Sequence, residues 1–392
     1  MGYKTPIAHW DKNRKRWKVQ AQREGERKAF YSRIPGQMGK KEAEQMAENW
    51  KKRLPLPERS SVPTVEQLWE KYLAYQKEER GVSTSTWDQN RKFGRNYILP
   101  ICGKLKISEL NEGHLQKMLD MAAKQGCLRK DNTRCSGPLS KKTLGNIRNS
   151  VNRFVKWCRI NEYTNLKLEG LEIRSLKLKK EKQILQPDEL RTLFAVDTRV
   201  VRGKRQFDDM IYSYRFAVVT GLRPGELMGL RICDIRKDKI CIRQAINRYD
   251  EVTPGKNDNA RREFGINRYA RVILAQQLEM LQRQGIVLHP EQLVFPALNQ
   301  QSRYHRWKSY AESNGVKAVS CYELRHTFIS MANNLQDGDL RSLVGHSMNM
   351  DTRGVYAHKL VDDDVRIAGE LDKIIAQVLG DLQPEKESGV PK

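Results

Sequence analysis

Apolar residues change their spacing along the chain, and the changes mark its parts. Up to about residue 58 they come in short alternating runs. Ala8-His9-Trp10, Arg16-Trp17-Lys18-Val19-Gln20-Ala21 and Arg27-Lys28-Ala29-Phe30-Tyr31 predict three strands, with Asp11-Lys12-Asn13-Arg14 as the first turn. From Lys40 to Arg53 the spacing becomes helical, with Ala43, Met46, Ala47 and Trp50 on one side. Trp10, Trp17 and Tyr31 can pack on that helix or line the opposite sheet face, because the two faces alternate.

Leu54-Pro55-Leu56-Pro57, continuing to Pro63, reads as a linker, and Thr64-Val65-Glu66-Gln67 has the form of a capping box. Residues 64 to about 166 then keep a helical period. Leu68, Tyr72 and Tyr75 share one face; Thr84 opens a second helix through Trp87 and Tyr97; a third begins near His114. Ser140 opens a long fourth helix that turns Leu144, Ile147, Val151, Phe154, Val155 and Cys158 inward, after a polar loop from Cys127 to Pro138. Arg174 to Lys182 is a basic connector. Beyond Leu185 the pattern is helical, starting at Pro187 and again over Phe207 to Thr220, with one break. There Lys239-Ile240-Cys241-Ile242 and Ala260 to Phe264 read as strands joined through Thr253-Pro254-Gly255-Lys256-Asn257. Helices resume at Arg268 and run to about Val378. The last is amphipathic through Val365, Ile367, Ala368, Leu371, Ile374, Ile375 and Val378, and a polar tail follows from Gln383. The reading is a mainly α chain with small β elements. It divides into a sheet-plus-helix domain (1–58), a helical bundle (64–170), a linker (171–183), a mostly helical domain with a β-hairpin (184–380) and a tail (381–392).

Charge adds a partner to this picture. The 392 residues include 72 Lys and Arg against 47 Asp and Glu, a net charge of +25. Such a surplus favours a polyanion, nucleic acid first, because Lys and Arg displace counterions from phosphates. Arg16, Trp17 and Lys18 on the small sheet, and Lys177, Lys179 and Lys180 in the connector, are the candidate contacts; a sheet of this kind can enter a DNA groove. No apolar run nears the roughly 20 residues of a membrane span, and the start lacks a signal-peptide apolar stretch, so a cytoplasmic protein is expected. The seven cysteines are scattered with no C-x-x-C pair, which argues against structural zinc and for reduced thiols.

The candidate chemistry lies in the last two hundred or so residues. Attack on a phosphodiester builds negative charge on two non-bridging oxygens and needs a nucleophile and a proton for the leaving oxygen. Metal enzymes use carboxylate clusters for this. Here Thr220-Gly221-Leu222-Arg223-Pro224-Gly225-Glu226 and Tyr322-Glu323-Leu324-Arg325-His326-Thr327 offer arginines instead, whose planar forks match phosphate oxygens. Leu343-Val344-Gly345-His346 follows, and Tyr356 stands ten positions beyond His346. Each has an ordinary explanation by itself. Arg223 with Glu226 can be a simple ion pair, His346 a structural histidine, Lys256 a solvated hairpin lysine, and a tyrosine of normal pKa, roughly 10, is a weak nucleophile. Their order and spacing carry the signal.

That joint pattern resembles the tyrosine recombinase, or phage integrase, family. The resemblance is strongest from Gln183 to Lys359, and the finer pattern is most similar to integrases of conjugative transposons. It implies a three-domain recombinase: an arm-type DNA-binding domain, a helical core-site domain and a catalytic domain. It also implies that Arg223 and Arg325 bind the scissile phosphate, that His346 donates a hydrogen bond to it, and that Tyr356 attacks phosphorus to form a 3′-phosphotyrosine. Lys256 would protonate the leaving 5′ oxygen, with Lys237 and Lys239 near the same hairpin, and Glu226 would orient Arg223. The family usually has His where this chain has Tyr322, which can donate a hydrogen bond but cannot serve as a readily titrating base near neutral pH. His326, adjacent to Arg325, is expected to be supporting rather than reactive.

No metal, ATP or other cofactor is implied. The implied partners are double-stranded attachment sites, three further copies in a tetramer assembled through the C-terminal helix, and accessory excision and DNA-bending proteins, all at the bacterial nucleoid. A type IB topoisomerase shares the chemistry but not the separate amino-terminal DNA-binding unit. A DNA-binding regulator with a decayed site is the reading from another class, with Tyr322 its only motive.

Overall fold

The computed structural model describes residues 7–52, 62–128, 137–178, 181–254, 261–296, 299–345 and 362–380. It divides into two compact units, one ending at Lys180 and one beginning at Glu181.

The first unit opens with the antiparallel sheet β1 (His9–Asp11), β2 (Arg16–Arg23) and β3 (Glu26–Ser32), in that order, followed by helix α1 (Gly36–Lys51). Register decides which side chains face the helix. Trp17 opposes Ser32 and Val19 opposes Phe30, and these pairs share a face with Ala21. That face packs on Ala43, Met46 and Ala47, with Trp17 and Trp50 closing its edges. Lys18 opposite Tyr31 and Gln20 opposite Ala29 lie on the other face. Trp17, expected as a DNA contact, is therefore turned to the helix side, whereas Lys18 is on the open face. Arg16 lies across the Tyr31 ring, its guanidinium carbon 3.9 Å from the centroid.

The helical bundle follows: α2 (Val65–Glu78), α3 (Thr84–Phe93), a π turn (Gly94–Ile98) running into α4 (Leu99–Cys102), α5 (Glu112–Gln125) and α6 (Lys141–Ile160). The capping box at Thr64 forms: the Gln67 amide donates to Thr64 Oγ1 at 3.3 Å and the Thr64 amide to Gln67 Oε1 at 2.9 Å. Trp69, Tyr72 and Phe154 meet in a ring cluster with centroids 4.8–5.7 Å apart. One buried polar chain crosses it: Ser150 donates to Asn90, and Asn90 to Gln76. The ordered chain continues past the predicted linker start at 171. Glu112 and Gln116 accept from the amides of Gly170 and Glu172, Leu171 is buried, and Ser175 donates to the Leu139 carbonyl. Only beyond Ser175 are Leu176, Lys177 and Leu178 exposed.

The second unit is anchored at its start, where the Gln183 amide donates to Glu323 and the Leu185 amide to Thr327. Its helices are α7 (Pro187–Ala195), α8 (Ile211–Thr220), α9 (Pro224–Met228), α10 (Arg268–Arg283), α11 (Gln300–Ser313), α12 (Cys321–Met331), α13 (Asp337–Val344) and α14 (Asp363–Leu379). Helix α8 is buried at every position but Tyr212, which is why its sequence is largely apolar and its one charge, Arg215, is paired with Asp197. The strands are more numerous than the sequence suggested. A hairpin, β4 (Thr198–Val201) with β5 (Lys204–Phe207), replaces the start of the predicted Phe207 helix. β5 is exposed throughout, so burial imposed no alternation on it. β6 (Lys239–Ile242) pairs with β9 (Arg262–Gly265), and between them β7 (Ala245–Ile246) pairs with β8 (Val252–Thr253).

The apolar face of α14, with Ile367, Leu371, Ile375 and Leu379, is buried in this unit's own core. Lys239 bridges to Asp364 at 2.9 Å, Arg366 to Asp339 at 2.8 Å, and the Arg268 amide donates to Asp372. In the single chain, the helix expected to dock on a neighbour packs on its own domain.

Candidate active site

Two helix ends and two arginines build the site. α8 stops at Gly221 (φ 65°) and α13 at Gly345 (φ 63°), both left-handed turns that glycine adopts without strain. Such turns leave carbonyls without helical donors. Arg325, on α12 and fully buried, supplies two: Nη1 donates to the Gly221 carbonyl at 2.7 Å and Nη2 to the Val344 carbonyl at 2.6 Å. Its Nε is buried with no partner. Burial first, and then the neighbouring Arg223, push its pKa down to about 10, opposed in part by Glu226. It is still a cation at neutral pH.

Arg223 caps α9 with extended backbone, and its side chain keeps 24% of its surface exposed. Nη1 donates to Glu226 Oε1 at 2.6 Å and Nη2 to the Gly345 carbonyl at 2.8 Å. The first and third sequence boxes are therefore tied together, with the second box beneath them. Glu226 is 2% exposed and receives four hydrogen bonds. Two come from Arg223, through its amide (3.0 Å) and Nη1. Two come from Arg262 on β9, Nη1 at 3.0 Å and Nη2 at 2.9 Å. Arg262 Nε reaches the Leu343 carbonyl at 2.7 Å. Burial pushes the Glu226 carboxyl up, but Arg262 and then Arg223 outweigh it and hold the group below the ordinary carboxylate range.

Tyr322 begins α12 and is 46% exposed, so its hydroxyl is available to a ligand. His326, one turn on, presents its ring edge-to-face to Tyr322 with centroids 5.3 Å apart. Burial, Lys182 and Arg325 lower the His326 pKa, which favours the neutral ring. His326 shares the Tyr322 side of the helix, as the i, i+4 spacing requires.

The structure thus brings together Arg223, Glu226 and Arg325, with Tyr322 and His326 on the same helix as Arg325. Lys256, His346 and Tyr356 lie outside the described residues, as do Lys179 and Lys180. Lys239, the alternative to Lys256, is engaged with Asp364. Arg262 was missed as a site residue. In sequence it is one of two adjacent arginines entering a strand, and nothing local signals its partner.

Two guanidiniums therefore meet at the C-terminal turns of α8 and α13, buttressed by a buried carboxylate. Comparison with known proteins gives the family. The profile of the Phage integrase family matches residues 183–362, and that of the phage integrase N-terminal SAM-like domain matches residues 64–121. No curated protein sequence matches. Among solved structures, a fragment of the Tn1549 transposon integrase in complex with transposon right end DNA is 18% identical with a TM-score of 0.55, covering 80% of this chain and 100% of that one. The same integrase in complex with a circular intermediate DNA is 17% identical with a TM-score of 0.56, covering 79% and 99%. The lambda integrase dimer bound to a COC′ core site is 14% identical with a TM-score of 0.50, covering 92% and 99%. The chain belongs to the phage integrase family of tyrosine recombinases, and its fold is theirs.

Proposed function

We propose that this chain is a site-specific DNA recombinase that integrates and excises a mobile element. The observation that carries the reading is the meeting of Arg223 and Arg325, from distant boxes, at the ends of α8 and α13. Two guanidiniums there suit the two non-bridging oxygens of one phosphate and the charge that grows on them in the transition state. His346 and Tyr322 add hydrogen bonds. The Tyr356 phenol gives up its proton to solvent as its oxygen attacks phosphorus; the new bond joins that oxygen to the 3′ phosphate, and the bond to the 5′ oxygen breaks with a proton from Lys256. The ester energy stays in the phosphotyrosine, so a 5′ hydroxyl from another strand rejoins it without ATP. Two rounds pass through a four-way junction.

The domains follow as arm-site binding by residues 1–58, through Arg16 and Lys18 on the open sheet face; core-site binding by 64–170; and catalysis by 184–380. Lys177, Lys179 and Lys180 accompany the DNA backbone. The solved relatives support a DNA partner: Tn1549 integrase with transposon right end DNA, and a lambda integrase dimer bound to a COC′ core site. A tetramer on DNA, joined through α14 and helped by excision and DNA-bending proteins, completes the proposal, with a transposon or prophage as the element.

The test is a nicked duplex spanning an end of that element, which traps the covalent adduct. Wild type is expected to form the adduct, and Tyr356→Phe to lose it while binding DNA as well as before. An adduct that survives Tyr356→Phe removes the assignment. Relaxation of any supercoiled plasmid without site preference would mark a topoisomerase instead.

A further inference from the structure

We infer that Arg262 is a positioning residue for the reaction: it shares the Glu226 carboxylate with Arg223 and so keeps Arg223 oriented toward the scissile phosphate, with a positive charge that Glu226 does not fully cancel. This rests on the recombinase reading above. Only 8% of the Arg262 side chain is exposed. Its donors face inward, two to Glu226 and one to the Leu343 carbonyl at the end of α13.

The electrostatics give Arg262 a task beyond structure. A carboxylate has about four acceptor positions. Glu226 fills two with Arg223 and two with Arg262. Without Arg262, a buried carboxylate would have Arg223 as its principal cation. The pair would close on itself, with no surplus charge to offer a phosphate. With Arg262 present, the two arginines and one carboxylate carry a net positive charge, and the most exposed member of the group is Arg223. Geometry adds to this. Arg223 reaches the Gly345 carbonyl, and Arg262 the Leu343 carbonyl two residues earlier. The same short stretch of chain therefore fixes both guanidiniums relative to Glu226. A shift of about 1 Å in a positioning group can cost about 100-fold in rate.

The test compares single-turnover cleavage of the nicked element-end duplex with cleavage of the same duplex carrying a methylphosphonate at the scissile position. That substitution removes the charge Arg223 serves. Arg262→Gln is expected to slow cleavage roughly 30- to 100-fold on the phosphate and by less than about 3-fold on the methylphosphonate, with DNA affinity within about 2-fold. Arg262→Lys, which keeps the charge but not the fork, should fall between, and it carries the comparison if Arg262→Gln melts below the assay temperature. Slowing on the phosphate with recovery on the methylphosphonate supports the role; any other pattern overturns it. An absence of adduct from the wild-type chain is a different failure, that of the recombinase reading itself.

Discussion

Glu226 is almost wholly buried, yet its carboxyl stays ionised because two arginines oppose the cost of burial. A carboxyl whose folded pKa lies below its unfolded value stabilises the fold above the unfolded value, here 4.5, and loses that contribution as pH falls through the folded one. Glu226→Gln leaves two guanidiniums without their counter-charge, a change that costs about 3–5 kcal/mol when a buried pair is broken. The variant should therefore melt well below wild type at pH 7, and the gap should narrow as pH drops from about 5 toward 3. Thermal melts across that range check it; a gap independent of pH would mean that shape, not charge, is what Glu226 supplies. At this scale the sequence offered candidate site residues but not their partners. Arg223 and Arg325 were legible from their boxes. Arg262 was not, because its partner lies 36 residues away across a strand pairing. The side that Trp17 faces was not legible for a related reason: alternation shows that two faces exist, and only the packing of α1 decides which is inward.

At the scale of elements, the turns that end α8 and α13 set the distance between the boxes. Gly221 is the more constrained of the two. Besides its positive φ, a Cβ there would lie 2.2 Å from Cδ1 of the buried Phe328, and its carbonyl accepts from Arg325. Gly221→Ala combines left-handed strain of about 1–2 kcal/mol with overpacking of about 1–3 kcal/mol. It should lower the melting temperature and reduce cleavage more than DNA binding, because Arg325 moves with the turn. Adding Phe328→Leu should return part of both losses. A double-mutant cycle measures this, and strictly additive effects would show that the ring contact is not the cause. Helix starts were readable wherever a cap is local, as at Thr64 and Ser140, whose side chains accept from amides three residues on. The β4–β5 hairpin was not, although Arg202 and Gly203 both take the positive φ of a tight hairpin turn. Its exposed second strand carries no periodic signal, and only the turn dipeptide could have announced it.

For the whole molecule, the surplus of 25 positive charges survives every internal ion pair, because each bridge removes one charge of either sign. Bridges such as Arg231–Asp234 and Lys239–Asp364 thus leave the excess intact, and among the described residues the buried cations are few, Arg215, Arg303 and Arg325. Assembly draws on the same scale. Extracting Ile367, Leu371, Ile375 and Leu379 of α14 from their own core would cost about 6–12 kcal/mol at about 1.5–3 kcal/mol per side chain. An identical groove on a neighbour would return the same amount, so any exchange between copies would be governed by how closely they are held. DNA is what would hold them, and the charge surplus is what would bind DNA. If the protein neutralises on the order of six to ten phosphates, its affinity should fall about 10³- to 10⁵-fold between 50 and 200 mM salt. Titration of an element-end duplex across that range gives the slope. A slope near zero would mean that the surplus is merely solvated, and DNA would no longer suffice to bring the copies of α14 together.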